Sequence, residues 1–364
     1  MERFGRIASA IATLGLIAFL GDLPAAHGQS ATAAPPSSER AAQGGELRAA
    51  LSDPVLDATF GPTPRVPASF QGAVSLNADF ERGIRPEPLF YQQRVGGRWV
   101  QIGLARNDAA LRRAGWQALR WGYELQRPDG AFDDNPGSIL GIASLLENAS
   151  IALLAERQWG IRSEGEALLE PMTRSARHIA EQDPRMHRGL RIYERYVHRY
   201  WVTAAALGMV GELTDNEQFR SLAISYARQG FVRQTPEGIN PEGGGYDVGY
   251  HAAGLISAGR FYVVCRDPAV REMVQTMMLR GGAWLAGQVA QDGSIDPGRS
   301  TRVLVEGNRR GGTKRLPALQ VAAGLAWSAQ VTGRQEFRAA AERILRAEAV
   351  SAPRQPTPRR QPPP

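Results

Sequence analysis

The spacing of apolar residues constrains the fold of this chain more than any other feature. From Asn107 onward, apolar residues recur every three or four positions, which places them on one face of an α-helix. Pro268 and Pro317 stand where two helices would begin, and Asp215 and Asp267 suit the capping position before a helix. The sequence therefore predicts an all-α domain. The segments with helical spacing are 107–127, 138–158, 163–182, 192–213, 215–234, 249–265, 267–289 and 315–332.

A recurring turn follows several of these segments. An aromatic residue and a glutamine lead into Asp129-Gly130, Glu237-Gly238 and Asp292-Gly293, each with an apolar residue shortly after the glycine. A glycine turn of this kind ends a helix and returns the chain to a stacked array. Its recurrence between helix pairs is typical of an α/α toroid, a helical barrel of antiparallel helix pairs. The number of helices suits an incomplete ring better than a closed one, and a plain helical solenoid is the alternative.

The segment before Asn107 has a different pattern. Residues 89–103 have apolar and aromatic residues on both sides of Gly96-Gly97, a pair that favours a tight turn between two strands. We therefore expect a short β-hairpin as an N-terminal extension of the helical domain.

The N-terminus resembles a secretory signal. Arg3 and Arg6 precede the apolar run from Ile7 to Leu20, and small residues end at Gly28, where a signal peptidase would cut. The run is short for a membrane-spanning helix. We expect residues 1–28 to be removed and the mature protein to be periplasmic or secreted, with no membrane attachment.

Composition divides the mature chain. Residues 29–64 are rich in Ala, Pro, Ser and Gly, and residues 351–364 are rich in Pro and Arg, so both segments are predicted to be disordered. Residues 65–350 remain as one domain, large enough for its own core and expected to be a monomer. Cys265 is the single cysteine, which excludes an internal disulfide.

The charge of the chain is basic, at +7, and almost entirely due to arginine, since Lys314 is the only lysine. Arginine binds carboxylates and phosphates in a bidentate manner. The sequence has no basic helix or nucleic-acid motif, so nucleic acid is not an expected partner.

A basic and aromatic run around His198 is the strongest candidate for a site. On a continuous helix, Arg191, Arg195, His198 and Arg199 would share one face. With Tyr200 and Trp201 as stacking surfaces, this face would hold an acidic sugar chain. The alternative is a solvated charged face whose Tyr and Trp belong to the core.

The residues 198–201, His-Arg-Tyr-Trp, resemble the His-x-Tyr-Trp motif of the alginate lyase family, whose fold is an incomplete α/α toroid. Glu237-Gly238, Pro241-Glu242 and Tyr250-His251 follow in the order found in that family. The resemblance covers about residues 190–265.

The resemblance implies β-elimination on a polysaccharide that contains uronate residues, without a cofactor. By that resemblance His198 and Tyr250 carry the proton transfers. A tyrosine needs cationic neighbours to act as a base. Tyr246 is a competing candidate, because related lyases also place a tyrosine after an acid-Gly turn.

Two positions depart from the family pattern. Val197 stands where the family has an asparagine that helps to neutralise the uronate, and the expected arginine is missing from residues 242–245. Asn148, on a predicted helix, and the loop from Glu306 to Arg315 are the alternative sources. In that loop, Arg309 and Arg310 are the candidate substrate-binding residues.

Other functions remain open. A glycoside hydrolase would need two carboxylates across a cleft, and the candidates stand in turns: Asp129, Asp133, Asp134, Glu242, Asp247, Asp292 and Asp296. A non-catalytic polysaccharide-binding protein of exopolysaccharide export is the second alternative. The mature histidines lack the helix spacing of a metal site, so no metal is expected, although calcium held by the carboxylate turns stays open.

Overall fold

A computed structural model describes residues 46–66, 70, 72–74, 89–133, 139–182, 195–307 and 312–351. These residues contain helices and isolated bridges but no β-strand, which confirms the all-α prediction. Two 3₁₀ turns, Phe90–Arg94 and Glu164–Leu168, precede α-helices. The α-helices are α1 (46–51), α2 (Pro54–Thr59), α3 (Val95–Ala105), α4 (Ala109–Glu124), α5 (Ile139–Gln158), α6 (Leu169–Glu181), α7 (His198–Thr214), α8 (Glu217–Phe231), α9 (Val248–Tyr262), α10 (Pro268–Gly287), α11 (Ala318–Thr332) and α12 (Gln335–Ser351).

The helices from α3 onward pack in successive pairs. The odd-numbered helices α3, α5, α7, α9 and α11 contact one another in that order, and each also contacts the even-numbered helix that follows it in the chain. Helices α5 and α7 are buried on almost every side, whereas α6 and α8 bury a single face. Odd-numbered helices therefore form an inner row that the even-numbered helices cover.

Helix α5 shows how deep the inner row lies. Its length and its mean hydropathy of 1.5 would suit a membrane-spanning helix, but 83% of its most apolar 18-residue stretch is buried inside the protein. A helix that is apolar all round is expected at the centre of a helical core.

The recurring glycine turns connect successive helix pairs. Gly130, Gly238 and Gly293 have positive φ angles of 84°, 89° and 85°, which only glycine adopts without strain. They follow α4, α8 and α10, and each lies against the next even-numbered helix. A Cβ atom on these glycines would meet backbone carbonyl oxygens, namely those of Arg174 at 2.4 Å, Arg280 at 2.4 Å and Arg343 at 2.2 Å. The turns thus have equivalent structural roles.

The predicted β-hairpin at residues 89–103 is wrong. The segment is a 3₁₀ turn that continues into α3, and Gly96 and Gly97 lie inside this helix. A Cβ on Gly96 would stand 2.3 Å from the carbonyl oxygen of Gly115, and one on Gly97 would stand 2.1 Å from that of Asn148. The glycines allow close packing of α3 against α4 and α5, so the pair that looked like a turn serves helix contacts.

The predicted disordered linker does not extend to residue 64. From residue 46 the chain forms α1 and α2, and α2 packs against α11 and α12. Asp53 caps α2 through the N–H groups of Val55 and Leu56, and it also pairs with Arg338 at 2.6 Å. The apolar residues that α1 and α2 contribute to the core are Leu47, Ala50, Leu51, Val55 and Leu56. The predicted signal sequence and the tail after Ser351 lie outside the described residues.

Candidate functional site

Four parts of the chain meet at the candidate site. Helix α7 begins with His198, and helix α9, its neighbour in the inner row, has Tyr250 in its first turn. The connection between α8 and α9 supplies Glu242. The segment between α10 and α11 supplies Arg302, Glu306 and Lys314.

His198 is held by a carboxylate. Its Nδ1 lies 2.8 Å from Oε2 of Glu242, and the exposed fractions of the two side chains are 5% and 1%. An ionised carboxylate only accepts hydrogen bonds, so the contact places the imidazole proton on Nδ1 and fixes the orientation of the ring.

Tyr250 lies directly against His198. The two ring centroids are 4.8 Å apart, and Tyr250 is partly exposed while His198 is buried. The guanidinium of Arg302 covers the Tyr250 ring at 3.7 Å, and the hydroxyl oxygen accepts a hydrogen bond of 3.0 Å from Nζ of Lys314. The two residues that the sequence predicts as proton carriers are therefore neighbours, and two cations contact the phenol.

A chain of alternating charges links His198 to Tyr250. Oε1 of Glu242 accepts from Nη1 of Arg302 at 2.8 Å, and Nε of Arg302 donates to Glu306 at 3.0 Å. Glu306 pairs in turn with Lys314. Burial lowers the pKa of Arg302, but the pKa lies above its usual value because Glu306, Tyr250 and Glu242 favour the charged form more strongly. We call these residues, from Glu242 through Arg302 and Glu306 to Lys314, the charged chain.

Asp247 fixes the two segments that carry this chain. It is fully buried and caps α9, because one carboxylate oxygen accepts from the N–H of Tyr250 at 2.9 Å. The other oxygen accepts from the N–H groups of Arg302 at 2.9 Å and Val303 at 2.7 Å. The hydrolase alternative counted Asp247 among the carboxylates, but its oxygens are occupied by the backbone.

Tyr246 has other contacts. Its hydroxyl accepts from the backbone N–H of Arg299 at 2.7 Å, and its ring packs edge-on against Trp284 with the centroids 5.2 Å apart. These contacts hold Tyr246 to the 296–299 turn and to α10, whereas Tyr250 lies against His198, Arg302 and Lys314.

The predicted helical face of arginines does not form. Helix α7 begins at His198, so Arg195 lies in the preceding turn, where it donates to the carbonyl of Gly243 at 3.5 Å. The structure gathers the arginines around Tyr196 instead: Arg195, Arg199 and Arg302 lie 6.0, 4.7 and 5.1 Å from its ring centroid. Residues 183–194, including Arg191, are outside the described part.

Tyr200 and Trp201 belong to the core and not to a sugar-stacking surface. Their exposed fractions are 2% and 0%. Trp201 packs against Gly230, and Tyr200 lies near Tyr226, with ring centroids 6.3 Å apart. The correction follows from the position of α7 in the inner row, where side chains on every face are buried.

Asn148 lies in a separate polar cluster between α5 and α9. Its Nδ2 donates to the carbonyl of Ser144 at 2.9 Å, and its Oδ1 accepts from Arg260 at 3.5 Å. The neighbouring Glu147 accepts from Ser257 at 2.8 Å and from Arg260 at 3.1 Å. Arg309 and Arg310 lie outside the described residues, so their predicted binding role has no structural description.

Sequence reasoning missed the centre of the charged chain. Arg302 contacts two glutamates and the Tyr250 ring, yet nothing in the sequence around it resembles a motif. The i,i+4 spacing of Arg302 and Glu306 was a weak signal. Lys314 was a stronger signal, because it is the only lysine of a chain whose other basic side chains are arginine or histidine. Its Nζ contacts the hydroxyl of Tyr250.

The second histidine of the motif is structural. His251 is fully buried, with Nδ1 accepting from the N–H of Asn240 at 3.2 Å and Nε2 beside the carbonyl of Gly281 at 3.0 Å. Burial lowers the pKa of His251 to about 4, so the ring is neutral at physiological pH. It joins the turn before Glu242 to α10.

The described ranges contain no group of three His, Cys, Asp or Glu side chains that could hold a metal ion. Cys265 is buried, and burial raises the pKa of its thiol to about 11, which keeps it protonated. The contacts of the site join tyrosine, histidine and paired charges. Comparison with protein-family models, with curated proteins and with solved structures found no match, so the likeness to alginate lyases rests on the short motifs alone.

Proposed function

We propose that this protein is an exported lyase that cleaves an acidic, uronate-containing polysaccharide by β-elimination. The single observation that carries the proposal is the contact of Tyr250 with His198 on one side and with Lys314 and Arg302 on the others. A partly exposed phenol with two cations beside it suits the removal of a carbon-bound proton.

The fold we propose is an incomplete α/α toroid. Support comes from the helix pairs between α3 and α12, which follow one another in a two-row order, and from the equivalent turns at Gly130, Gly238 and Gly293. Both features are typical of a ring of repeated helix pairs.

In the proposed reaction Tyr250 carries the proton. Lys314 donates to the phenol oxygen and Arg302 lies over the ring, so negative charge on that oxygen is stabilised. The phenolate takes the proton from the carbon next to the uronate carboxyl group. The electrons of that C–H bond form the double bond, the glycosidic C–O bond breaks, and the departing oxygen receives the proton from Tyr250. Tyr250 gives the departing oxygen the proton that it took from carbon, so the proposed reaction needs no cofactor.

His198 has a positioning role in this proposal, which differs from the role implied by the resemblance. It is almost fully buried, whereas the neighbouring Tyr250 is partly exposed, so Tyr250 is the more accessible of the two to a sugar. The Glu242 contact holds the imidazole against the phenol ring, and thereby fixes where Tyr250 stands.

The carboxylates of the site favour elimination over hydrolysis. A hydrolase needs a carboxylic acid whose pKa is raised so that it stays protonated. Glu242 and Glu306 are both bound by cations, and although burial raises the pKa of Glu306, Lys314 and Arg302 bring it below its usual value. The pKa values of the turn carboxylates are also lowered, at Asp129 by a hydrogen bond from the backbone N–H of Ala131 and at Asp292 by hydrogen bonds from the hydroxyl and the backbone N–H of Ser294.

The test is ultraviolet absorbance of residues 29–364 incubated with alginate, hyaluronan, chondroitin, polygalacturonate and glucuronate-bearing exopolysaccharides. Elimination creates a double bond conjugated to the carboxylate, and hydrolysis does not. We expect the absorbance to increase with the wild-type protein. The rate of this increase should be lower by about a hundredfold or more in Tyr250→Phe and by less than about threefold in the matched Tyr246→Phe.

The other outcomes of this test would support the two alternative functions. New reducing ends without absorbance would establish a hydrolase. Binding of a polymer with neither signal would establish a non-catalytic polysaccharide-binding protein.

A further inference from the structure

The segment before α7 pairs with the segment before α9. The backbone N–H of Gly243 donates to the carbonyl of Arg195 at 2.7 Å. Next to this hydrogen bond, Tyr196 forms an isolated antiparallel bridge with Glu242. Because Glu242 also holds Nδ1 of His198, the paired segments are directly joined to the candidate site.

One guanidinium connects these segments to the reacting tyrosine. The guanidinium of Arg302 lies 5.1 Å from the ring centroid of Tyr196 and 3.7 Å from that of Tyr250. Both tyrosines are partly exposed. Since a single planar group contacts both rings, a sugar chain with one residue at Tyr250 can place the adjacent residue at Tyr196.

Arg195 brings a positive charge without a carboxylate partner to this surface. It is exposed, its guanidinium lies 6.0 Å from the Tyr196 ring centroid, and its Nη2 makes only a long contact of 3.5 Å with the carbonyl of Gly243. Arg302 pairs with two glutamates and Lys314 with one, whereas no described carboxylate lies within ion-pair distance of Arg195. An exposed guanidinium of this kind can bind an acidic group with two parallel N–H donors.

The turn beside Arg195 leaves room for a ligand. It contains three successive glycines, residues 243–245, which we call the glycine turn. Gly244 is exposed, has a φ angle of 94°, and has no heavy atom within 4 Å of the place that a Cβ would occupy. The hydroxyl of Thr301 fixes the start of the turn by donating to the carbonyl of Glu242 at 2.7 Å. Glycines allow a ligand to approach the backbone closely.

We propose that Arg195, Tyr196 and the glycine turn form a second subsite, which binds an anionic sugar residue next to the one that reacts at Tyr250. Arg195 binds the acidic group of this adjacent residue, a carboxylate or a sulfate, and the glycine turn admits the sugar ring. This inference rests on the proposed function and narrows its substrate class, because the polymer must carry acidic groups on adjacent sugars.

The experiment measures the binding of three tetrasaccharides by calorimetry, in the Tyr250→Phe variant so that cleavage is slow. In tetragalacturonate the adjacent sugar has a carboxylate, in the chondroitin 4-sulfate tetrasaccharide it has a sulfate, and in the unsulfated chondroitin tetrasaccharide it is neutral. We expect at least one ligand with an acidic adjacent sugar to bind about tenfold or more tightly than the unsulfated tetrasaccharide. Adding Arg195→Met should abolish this preference.

Arg343→Met, in the same Tyr250→Phe background, is the matched control. Arg343 lies on α12, is partly exposed, and donates to the carbonyl of Ala290 at 3.2 Å. The substitution therefore removes one positive charge and one contact with a turn carbonyl, as Arg195→Met does, but outside the segments that meet at the site. We expect each of the three affinities to change by less than about twofold.

The effect of Arg195→Met identifies the acidic group. Loss of the preference for tetragalacturonate alone assigns a carboxylate, loss of the preference for the sulfated ligand alone assigns a sulfate, and loss of both assigns a site for either group. Equal weakening of all three ligands, unchanged affinities, or the lack of any preference before Arg195 is replaced would overturn the subsite.

The subsite and the lyase proposal fail in different ways. If the wild-type protein forms no unsaturated product from any polymer but the preference depends on Arg195, the subsite stands and β-elimination fails. If unsaturated product forms and the affinities do not depend on Arg195, β-elimination stands and the subsite fails.

Discussion

Glu242 serves two partners at once, and the geometry of the site depends on it. One oxygen holds Nδ1 of His198, and the other holds Arg302, which covers the Tyr250 ring. Removal of one charge from such a buried network leaves its partners incompletely paired. The geometry of the site thus depends on a residue that the sequence indicates only in the Pro241-Glu242 pair and among the turn carboxylates.

The first prediction concerns Glu242→Gln. The amide has the shape of the carboxylate but presents an N–H₂ group to His198 or to Arg302, both of which are donors. We expect the variant to lose about 2–4 kcal/mol of unfolding free energy and at least about tenfold in kcat, measured by urea unfolding and by the absorbance assay. Glu237→Gln, at an exposed turn position, is the control and should leave both nearly unchanged.

The second prediction uses the only lysine of the chain. Burial lowers the pKa of Lys314, but hydrogen bonds to Glu306 and Tyr250 bring it above its usual value of 10.5. Reductive methylation with ¹³C-formaldehyde gives one side-chain NMR signal from Lys314. We expect its titration midpoint to fall in Glu306→Gln and, by a smaller amount, in Tyr250→Phe, since each variant removes one of the two partners. Identical midpoints in all three proteins would mean that Lys314 does not contact the phenol in solution.

At the scale of helices, α3 shows where sequence patterns mislead. A Gly-Gly pair is as suitable for close helix packing as for a tight turn, and only the neighbours decide which applies. The neighbours here are the carbonyl oxygens of Gly115 and Asn148, which come from α4 and α5. Local sequence carries no information about such contacts.

The third prediction tests that packing. Gly97→Ala places a Cβ where the carbonyl oxygen of Asn148 stands at 2.1 Å, so α3 and α5 must separate. We expect a loss of about 2–4 kcal/mol in unfolding free energy, measured by thermal or urea unfolding. Gly287→Ala, at the end of α10 with no atom within 4 Å of its Cβ, is the control and should change stability by less than about 1 kcal/mol.

Most of the inner and outer helices were predictable because their apolar residues recur regularly at helical spacing. The residues at which the helices begin and end were less predictable. Asp267 caps α10 and Pro268 opens it, as the sequence predicts. Asp215, predicted as a cap, instead ends α7 in a left-handed conformation with φ of 52°, and Asn216 caps α8. Helices α1, α2 and α12 were missed because their alanine-rich or short patterns resemble the flanking segments.

The candidate site was predictable only in part, for a similar reason. His198 and Tyr250 stand near motif residues, and the structure brings their rings together. Arg302 and Lys314 join them through contacts with residues 60 and 64 positions away, and Glu306 pairs with both of these cations. Such contacts depend on how the helix pairs stack, which the sequence pattern does not specify.

At the scale of the whole molecule, His251 makes stability depend on pH. It is buried in neutral form between the turn at Asn240 and α10, and its pKa in the folded chain is about 4, against 6.5 for an ordinary histidine. Between these two values the unfolded chain binds a proton that the folded chain does not, so stability falls as pH falls.

The fourth prediction follows from this difference. We expect the unfolding free energy to decrease by about 3 kcal/mol at most between pH 6.5 and pH 4, with a smaller slope in His251→Gln. Urea unfolding at successive pH values measures the slope. Glu166 and Glu306, whose pKa values are lowered, add a further loss only below their usual range near 4.5. A stability that stays constant from pH 7 to pH 5 contradicts the assignment of His251.

The two oxygens of Asp247 have a consequence for the order in which the molecule becomes competent. One of them orients Tyr250 and the other fastens the backbone of Arg302 and Val303, more than fifty residues later in the chain. During synthesis, a nascent polypeptide that ends before this later segment already contains His198, Glu242 and Tyr250. It lacks both cations that contact the phenol. Competence for the proposed chemistry therefore depends on the segment between α10 and α11, however complete the earlier helices are.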